Sequence, residues 1–473
     1  MRHRMQMEDL TRRELLSRCA GGFGGLALAA MAAEEASASA AATDPLTVRA
    51  PHFAGRAKSV ILLYMDGGPS QVDTFDYKPR LERERGRPIG MKIPPTQFNN
   101  VGTVMPSPWT FRPRGRCGTQ VSDLIPNIAT CVDELAVIRS MVSDNSEHTS
   151  ANYLMHTGFS MQGRPSMGSW ITYGLGSACR NLPGFIVLDS GWVPTGGMDN
   201  FGCGFLPASY QGTLFRKGPW PVADIQPRES SVAIQKEKLG LARRLNRGVM
   251  DRLGSTSELE ATIANYELAF RMQAEVPDLI DLGGESAATL RLYGIGEPQT
   301  ETYGRQCLLA RRLVERGVRF LEVVTPLAPP GVDRWDQHDN LYKGHLHNAT
   351  SVDKPVSGLI KDLKARGLLE ETLVIWAAEF GRTPMAQGAN GRDHNPYGYS
   401  IFLAGGGVKG GIVHGSTDEY GYYAIENKVH VHDLHATILH LLGLDHTRLT
   451  YRFNSRDMRL TDVHGEVVDA VIA

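Results

Sequence analysis

Carboxylate and imidazole side chains suited to binding a divalent metal follow several predicted strands of this 473-residue chain. They are Asp66, Asp336, His338, Glu379 and His394. Asp336 and His338 are two residues apart, so in an extended chain both side chains point the same way. A mixed set of oxygen and nitrogen ligands favours zinc first, with manganese, iron or calcium as alternatives. The alternative for Asp66 is a solvated carboxylate in the turn that ends a strand.

Hydroxyl groups suited to nucleophilic attack follow the strand predicted at residues 135–141. They are Ser146, Thr149 and Ser150. A positioned hydroxyl can form a covalent intermediate with an ester, and we favour Thr149 or Ser146 for this role. His148 is an alternative nucleophile or metal ligand. The competing interpretation is that these Ser and Thr residues cap a helix that begins at about residue 149.

Two arginines near the carboxylates, Arg382 and Arg392, could hold the anionic oxygens of an ester. A guanidinium group matches phosphate or sulfate oxygens through two parallel hydrogen bonds. Arginine beside carboxylates also forms structural ion pairs, and the sequence leaves both alternatives open.

Short apolar runs that predict buried strands precede most of these residues. The predicted strands span residues 60–65, 135–141, 184–189, 318–324, 372–377 and 399–404. Helical patterns alternate with the later strands, and Gly317 and Gly367 are the expected helix stops. Residues 77–118 and 190–230 lack periodicity and predict loops, whereas 123–133 and 434–442 predict helices. The alternation predicts an α/β fold, with a mostly parallel sheet sandwiched between helices.

Composition and periodicity limit the domain organisation and the partners. We expect residues 43–473 to form one α/β domain with a helical insertion at about 231–300. Lys and Arg total 50 against 51 Asp and Glu, and the net charge of −1 indicates no nucleic-acid partner. No apolar run is long enough to predict a membrane span.

Residues 1–42 have the features of an export signal. Arg12 and Arg13 precede a weakly apolar, uncharged run and then several small-residue triplets. This pattern resembles the twin-arginine signal, so the twin-arginine translocase is the expected partner during export. The expected location is periplasmic or extracellular. The alternative is a disordered tail with a chance arginine pair.

Replacing Arg12 and Arg13 together by lysine should block export, because a twin-arginine signal is read through its paired arginines. Cell fractionation measures the result. The matched control, Arg2→Lys with Arg4→Lys, lies outside the pair and should be exported normally. Normal extracytoplasmic accumulation of the Arg12→Lys/Arg13→Lys variant would remove the assignment.

Five longer motifs are specific enough to indicate a family. They are Tyr64-Met-Asp-Gly-Gly-Pro-Ser70, Tyr303-Gly-Arg-Gln-Cys307, Trp335-Asp-Gln-His338, Glu379-Phe-Gly-Arg-Thr-Pro384 and Val431-His-Asp-Leu-His435. The pattern resembles the domain-of-unknown-function 1501 family, exported bacterial proteins that are often labelled sulfatase-like. That family is grouped with the alkaline phosphatase superfamily, so the resemblance implies an alkaline-phosphatase-like fold.

The resemblance also implies which residues would bind metal. Asp66 would take the place of the superfamily's first-strand Asp, and Asp336 with His338 the place of its Asp/His pair. Glu379 would replace the Asp of an Asp-His dipeptide, and His394 would be the late His. No Cys or Ser lies in a Cys/Ser-x-Pro-x-Arg context, so a formylglycine sulfatase mechanism is not expected.

Two departures from the superfamily pattern predict a single metal. Phe380 stands where the His of the dipeptide would be, and Asp336 is unusually close to His338. We therefore expect one tightly held transition metal at Asp336, His338 and His394, and a weak or empty site at the remaining carboxylates.

The favoured function is extracytoplasmic, metal-dependent hydrolysis of a phosphate or sulfate ester, in a small-molecule or polysaccharide substrate. The alternative is a non-catalytic binding or scaffold protein on the same fold, stabilised by its metal.

Overall fold

The computed structural model describes residues 45–95, 101–218, 220–222, 225, 231–253 and 257–473. The predicted export signal at residues 1–42 lies outside these described residues. The strands in chain order are β1 Ser59–Tyr64, β2 Val101–Val104, β3 Phe111–Arg114, β4 Thr119–Ser122, β5 Leu135–Val142, β6 Phe185–Asp189, β7 Thr213–Arg216, β8 Phe320–Val324, β9 Thr372–Ala377, β10 Gly381–Gln387, β11 Gly391–Asn395, β12 Tyr399–Ala404, β13 Ile412–His414, β14 Ser416–Thr417, β15 Ala424–Glu426, β16 Val429–His430, β17 Tyr451–Phe453 and β18 Arg456–Met458.

Ten α-helices accompany these strands in the described part of the chain. They are α1 Gln71–Thr74, α2 Pro79–Arg83, α3 His148–Thr157, α4 Met167–Leu175, α5 Val232–Leu253, α6 Ser257–Ile280, α7 Ala287–Leu292, α8 Glu301–Glu315, α9 Leu341–Ala365 and α10 Val431–Leu441. Short 3-10 helices span Ile128–Glu134, Gly197–Phe201, Ala208–Tyr210, Leu369–Glu371 and Asp469–Val471. No described helix has the length and apolarity that crossing a membrane requires.

A nine-stranded sheet forms the centre of the fold, in the order β13-β5-β12-β9-β1-β8-β6-β7, with β16 also paired to β5. Strand β1 is parallel to β8 and β9, and β6 is parallel to β7 and β8. Strand β12 is antiparallel to both of its neighbours, β9 and β5. The predicted α/β fold with a mostly parallel sheet is therefore confirmed.

The central strands are covered on both faces of the sheet. Every residue of β1, β9 and β12 is buried. Because successive side chains of a strand point to opposite faces, burial of every residue requires packing on both sides. Strands β1, β5, β8 and β9 run in the same direction, so their carboxyl ends meet at one edge of the sheet. The residues that follow these four strands are thereby brought together.

Local sequence explains where several elements end. Gly317 and Gly367 follow α8 and α9 and have φ angles of +84° and +69°, which glycine adopts without strain. Both expected helix stops are confirmed. Helices α5, α6 and α7 lie within the segment predicted as a helical insertion.

The predicted loops are only partly irregular. Residues 77–118 contain α2, β2 and β3, and residues 190–230 contain β7. These strands have only four residues each, and at least three residues of each are partly or fully exposed, so their sequences carry no clear alternation. The helix predicted at 123–133 is instead a 3-10 helix at Ile128–Glu134.

Candidate metal centre

Four side chains converge at the shared edge of the sheet. They are His148, Asp336, His338 and His394, and one potential ligand atom of each lies within 4.8 Å of the others. The Nε2 atoms of His338 and His394 lie 2.9 and 3.1 Å from Asp336 Oδ1. The Nε2 atom of His148 lies 3.1 Å from Asp336 Oδ2. Three imidazole nitrogens thus surround one carboxylate.

Each imidazole of this cluster is oriented by an acceptor on its far side. His148 Nδ1 donates to Glu379 Oε1 at 2.8 Å, and His394 Nδ1 donates to the carbonyl oxygen of Ser146 at 2.5 Å. His338 Nδ1 contacts Gln387 Oε1. A proton held on Nδ1 in this way leaves the Nε2 lone pair available to a metal, and such outer partners are usual for metal-binding histidines.

The residues present fit a zinc-like ion. His148 Nε2 is buried and faces the cluster, where Asp336 Oδ2 at 3.1 Å is its neighbour. Three imidazoles and one carboxylate are also a ligand set that tetrahedral zinc accepts. The cluster therefore has the donors and the orientation of a metal site.

Helix α3 places His148 at the cluster. The helix begins at this residue because the preceding Glu147 caps it, with its carboxylate accepting the amide N–H groups of Thr149 and Ser150 at 2.9 and 3.0 Å. The Ser and Thr hydroxyls therefore do not cap this helix. A carboxylate at the amino terminus also suits the helix dipole.

The loop after β8 and a hairpin supply the other ligands. In the loop, Trp335 and Gln337 are buried, while Arg334, Asp336 and His338 between and beside them are partly exposed. This alternation turns the three latter residues to one side. His394 belongs to β11, which pairs with β10 in an antiparallel hairpin. The hairpin was not expected from the sequence, because neither of its strands contains an apolar run or a regular apolar–polar alternation.

The charges of the cluster are strongly coupled to its surroundings. Burial raises the pKa of Asp336, but Arg382 and the contacts with three histidines outweigh it and hold this pKa well below its usual range. Burial opposes the charged form of His148, yet Asp336 and Glu379 raise its pKa to about 9. Burial and the charge of Arg382 lower the pKa of His394 to about 4. In the absence of a metal, a proton on His148 supplies positive charge between two carboxylates, and metal binding would displace it.

Asp66 and Glu379, predicted as ligands, are not part of the cluster. Asp66 accepts a hydrogen bond from Trp192 Nε1 at 3.1 Å and forms an ion pair with Arg334. Glu379 is fully buried, accepts from the backbone N–H of Gly67 at 2.9 Å, and orients His148 from behind. In this structure their carboxylate oxygens are held by protein partners, and the assignment of Asp66 and Glu379 as metal ligands stays a prediction.

The predicted hydroxyls lie beside the cluster. Ser146 is next to it, since its carbonyl oxygen holds His394. The Thr149 backbone N–H donates to Glu147 at the start of α3. Of the two preferred nucleophiles, Ser146 is therefore the one whose backbone carbonyl contacts a residue of the cluster.

The two predicted anion-binding arginines form buried ion pairs with carboxylates of the protein. Arg382 is fully buried, lies 2.6 Å from Asp336 Oδ1, and donates to the carbonyl oxygens of Gly67 and Gly68. Arg392 is also fully buried and lies 2.8 Å from Asp73 Oδ2. Their guanidinium groups are engaged by the protein, which fits the ion-pair alternative for both residues, and the role of anion clamp stays a prediction.

Sequence reasoning missed two residues at this edge. Arg334 is stacked on Trp192, with its guanidinium carbon 3.8 Å from the ring centroid. The spacing of Arg334, Asp336 and His338 could have revealed the arginine, because residues at alternate positions share a side in extended chain. Nothing in the sequence links Trp192, more than a hundred residues away, to this loop.

Solved structures similar to this chain include three hydrolases. A sulfatase from Pseudoalteromonas sp. is 14% identical, with 83% of this chain and 68% of that chain covered and a TM-score of 0.34. A phosphonate monoester hydrolase from Silicibacter pomeroyi is 12% identical, with coverages of 71% and 72% and a TM-score of 0.35. Alkaline phosphatase from the Antarctic bacterium TAB5 is 12% identical, with coverages of 82% and 99% and a TM-score of 0.33.

A family match covers almost the whole domain. A comparison with curated proteins found no match. The family described as "Protein of unknown function (DUF1501)" matches residues 57–472. This range includes all four residues of the candidate metal centre and all five motifs on which the sequence resemblance depends. The chain therefore belongs to the DUF1501 family.

Proposed function

We propose that this protein is an exported, metal-dependent hydrolase of phosphate or sulfate esters, with one metal ion at the centre formed by the His148, Asp336, His338 and His394 side chains. The observation that carries the proposal is the convergence of three imidazole Nε2 atoms on one carboxylate. The choice of ester class rests on the sequence resemblance to the alkaline phosphatase superfamily.

The protein's own residues would prepare the site before substrate arrives. Glu379 and the Ser146 carbonyl fix two imidazole orientations, and Arg382 keeps Asp336 ionised. A divalent metal bound there would polarise an ester oxygen and stabilise the charge that develops on it. Ser146 is the preferred nucleophile, because it is the hydroxyl-bearing residue whose backbone contacts a ligand.

Activity measurements test this proposal. The metal-loaded protein should hydrolyse 4-nitrophenyl phosphate or 4-nitrophenyl sulfate, and chelation should abolish turnover until zinc is restored. Ser146→Ala should lower kcat by more than about 100-fold if its hydroxyl attacks the ester. The matched control is Ser416→Ala, in the β14–β15 hairpin, where the hydroxyl hydrogen-bonds to Glu426.

The outcomes separate two attacking groups. If alanine at Ser146, Thr149 and Ser150, one at a time, leaves turnover unchanged, no hydroxyl of this segment is the nucleophile. Direct attack by an activated water molecule then remains. Loss of activity only in the Thr149 variant would transfer the role to that hydroxyl.

One observation favours a non-catalytic second candidate. The cluster contains four protein donors, and a closed four-coordinate set is typical of structural zinc sites, whereas catalytic sites keep a position open. A protein that binds zinc tightly but turns over neither ester would support a metal-stabilised scaffold.

A further inference from the structure

Arg334 faces the same side of its loop as two residues of the metal centre. In the segment from Arg334 to His338, the residues at even positions are partly exposed and those at odd positions are buried. Trp335 is fully buried and Gln337 is 3% exposed, so these two side chains anchor the loop in the protein interior. The guanidinium group of Arg334 is thereby presented beside Asp336 and His338.

Trp192 and Asp66 hold the guanidinium group of Arg334 in place and leave most of its N–H donors without a hydrogen bond. The group stacks on Trp192 at 3.8 Å and pairs with Asp66, which also accepts the Trp192 N–H at 3.1 Å. Among the described residues, Asp66 is the one acidic side chain that forms an ion pair with Arg334, and none accepts a hydrogen bond from the Arg334 guanidinium. The side chain is 18% exposed, so solvent or a ligand can reach it.

The other arginines at this edge do not have this freedom. Arg382 donates to Asp336 and to three backbone carbonyl oxygens, and Arg392 donates to Asp73 and to two backbone carbonyl oxygens. Both are fully buried. A guanidinium group with spare, coplanar donors beside a cationic centre is suited to the oxygens of a tetrahedral anion.

Asp66 adds a second reason for the position of Arg334. This carboxylate is 1% exposed at the end of the first strand, where an unpaired charge would be costly. Arg334 supplies the positive charge there. A second metal ion is thus unnecessary for neutralising Asp66.

We propose that Arg334, positioned by Trp192 and Asp66, forms an oxyanion subsite next to the metal centre and binds the non-bridging oxygens of a phosphate or sulfate group. The inference rests on the proposed function for its substrate class, but it concerns binding and can be measured without turnover.

Calorimetric titration of inorganic phosphate and of sulfate into metal-loaded protein tests the subsite. The double variant Arg334→Met/Asp66→Asn removes the guanidinium without leaving a buried, unpaired carboxylate. It should bind the better of the two anions about 10- to 100-fold more weakly than the parent. Its metal content should equal that of the parent, because neither residue belongs to the metal cluster.

Two further variants control for charge and folding. Arg334→Lys keeps the pairing charge but cannot form two parallel hydrogen bonds, so its affinity should lie between those of the parent and the double variant. Arg452→Met/Asp457→Asn makes the same pair of changes in an exposed ion pair on the β17–β18 hairpin and should bind anions like the parent.

The results separate failure of the subsite from failure of the metal site. Equal anion affinity of the parent and the double variant, with metal retained in both, would overturn the subsite, as would a parent that binds neither anion. Arg334-dependent anion binding by a parent that holds no metal would keep the subsite and overturn the proposed metal chemistry. If the double variant loses metal, both proteins are titrated in metal-free form. Weaker anion binding by the double variant then supports the subsite, and equal binding overturns it.

Discussion

His394→Ala protein should lose its tightly bound metal, whereas the parent should contain about one equivalent per chain. The change removes one of the three imidazoles around Asp336, and the Ser146 carbonyl loses its partner. Two imidazoles and a carboxylate remain, one donor short of a four-coordinate site. Elemental analysis after dialysis against a weak chelator measures the content.

Asp66→Asn is the informative comparison for this experiment. Asp66 pairs with Arg334 and lies outside the metal cluster, so this variant should keep its metal. His464→Ala is the matched control, since His464 is exposed and stacks on His432. Two tight equivalents in the parent, or loss of metal from Asp66→Asn, would contradict the single-centre assignment. No metal in the parent would contradict the proposed hydrolase as a whole.

Glu322→Leu should destabilise the fold by about 3 to 5 kcal/mol, because it leaves a buried charge without its partner. Glu322 lies within β8 and is 1% exposed, and His156 Nε2 lies 2.9 Å from its Oε1 atom. His156 Nδ1 donates to the carbonyl oxygen of Asn152 at 2.7 Å. Both ring nitrogens therefore donate, as in an imidazolium. Urea denaturation measures the free energy of unfolding.

The pH dependence of this loss identifies its cause. Burial opposes the charged form of His156, but Glu322 outweighs it and raises the pKa of His156. The stabilisation is fully present below the unfolded pKa of about 6.5 and is lost as the pH rises through the raised folded pKa. The cost of Glu322→Leu should therefore be largest below about pH 6.5 and should fall as the pH rises through the raised pKa of His156.

Two variants control this second prediction. Glu371→Leu removes a carboxylate that pairs with Lys58 at the surface, and it should change the free energy of unfolding by less than about 1 kcal/mol. Glu322→Leu combined with His156→Leu removes both charges and should recover part of the loss. Equal costs for the two single changes would show that the buried pair contributes no more than a surface pair.

The central strands could be predicted from the sequence alone. Predicted strands at 372–377 and 399–404 coincide with β9 and β12, because uninterrupted apolar residues form strands that are buried on both faces. The position of the site at one edge of the sheet could also be predicted, because the residues that follow parallel strands meet at the edge where the carboxyl ends of those strands lie. This reasoning placed Asp336, His338 and His394 in one group, as they are in the candidate metal centre.

Other parts of the site depend on contacts between distant segments. His148 joins the ligands because the start of α3 lies against Asp336 in the loop that follows β8, and its own sequence context fits a nucleophile equally well. Glu379 has the residue type of a ligand, but its hydrogen bond to His148 makes it an outer partner. The β10–β11 hairpin depends on pairing rather than on periodicity, so its strands could not be read from the sequence.

The distribution of the four cluster residues along the chain also bears on the order of assembly. About 250 residues separate His148 from His394, and closing so long a loop before the intervening structure forms would carry a large entropic cost. The cluster can therefore exist only after the strands that present it have assembled. An ion bound there would act as a non-covalent cross-link that slows unfolding, and its capture would follow folding. If the predicted twin-arginine route carries the folded chain, the ion should be captured before export, in the compartment where the chain folds.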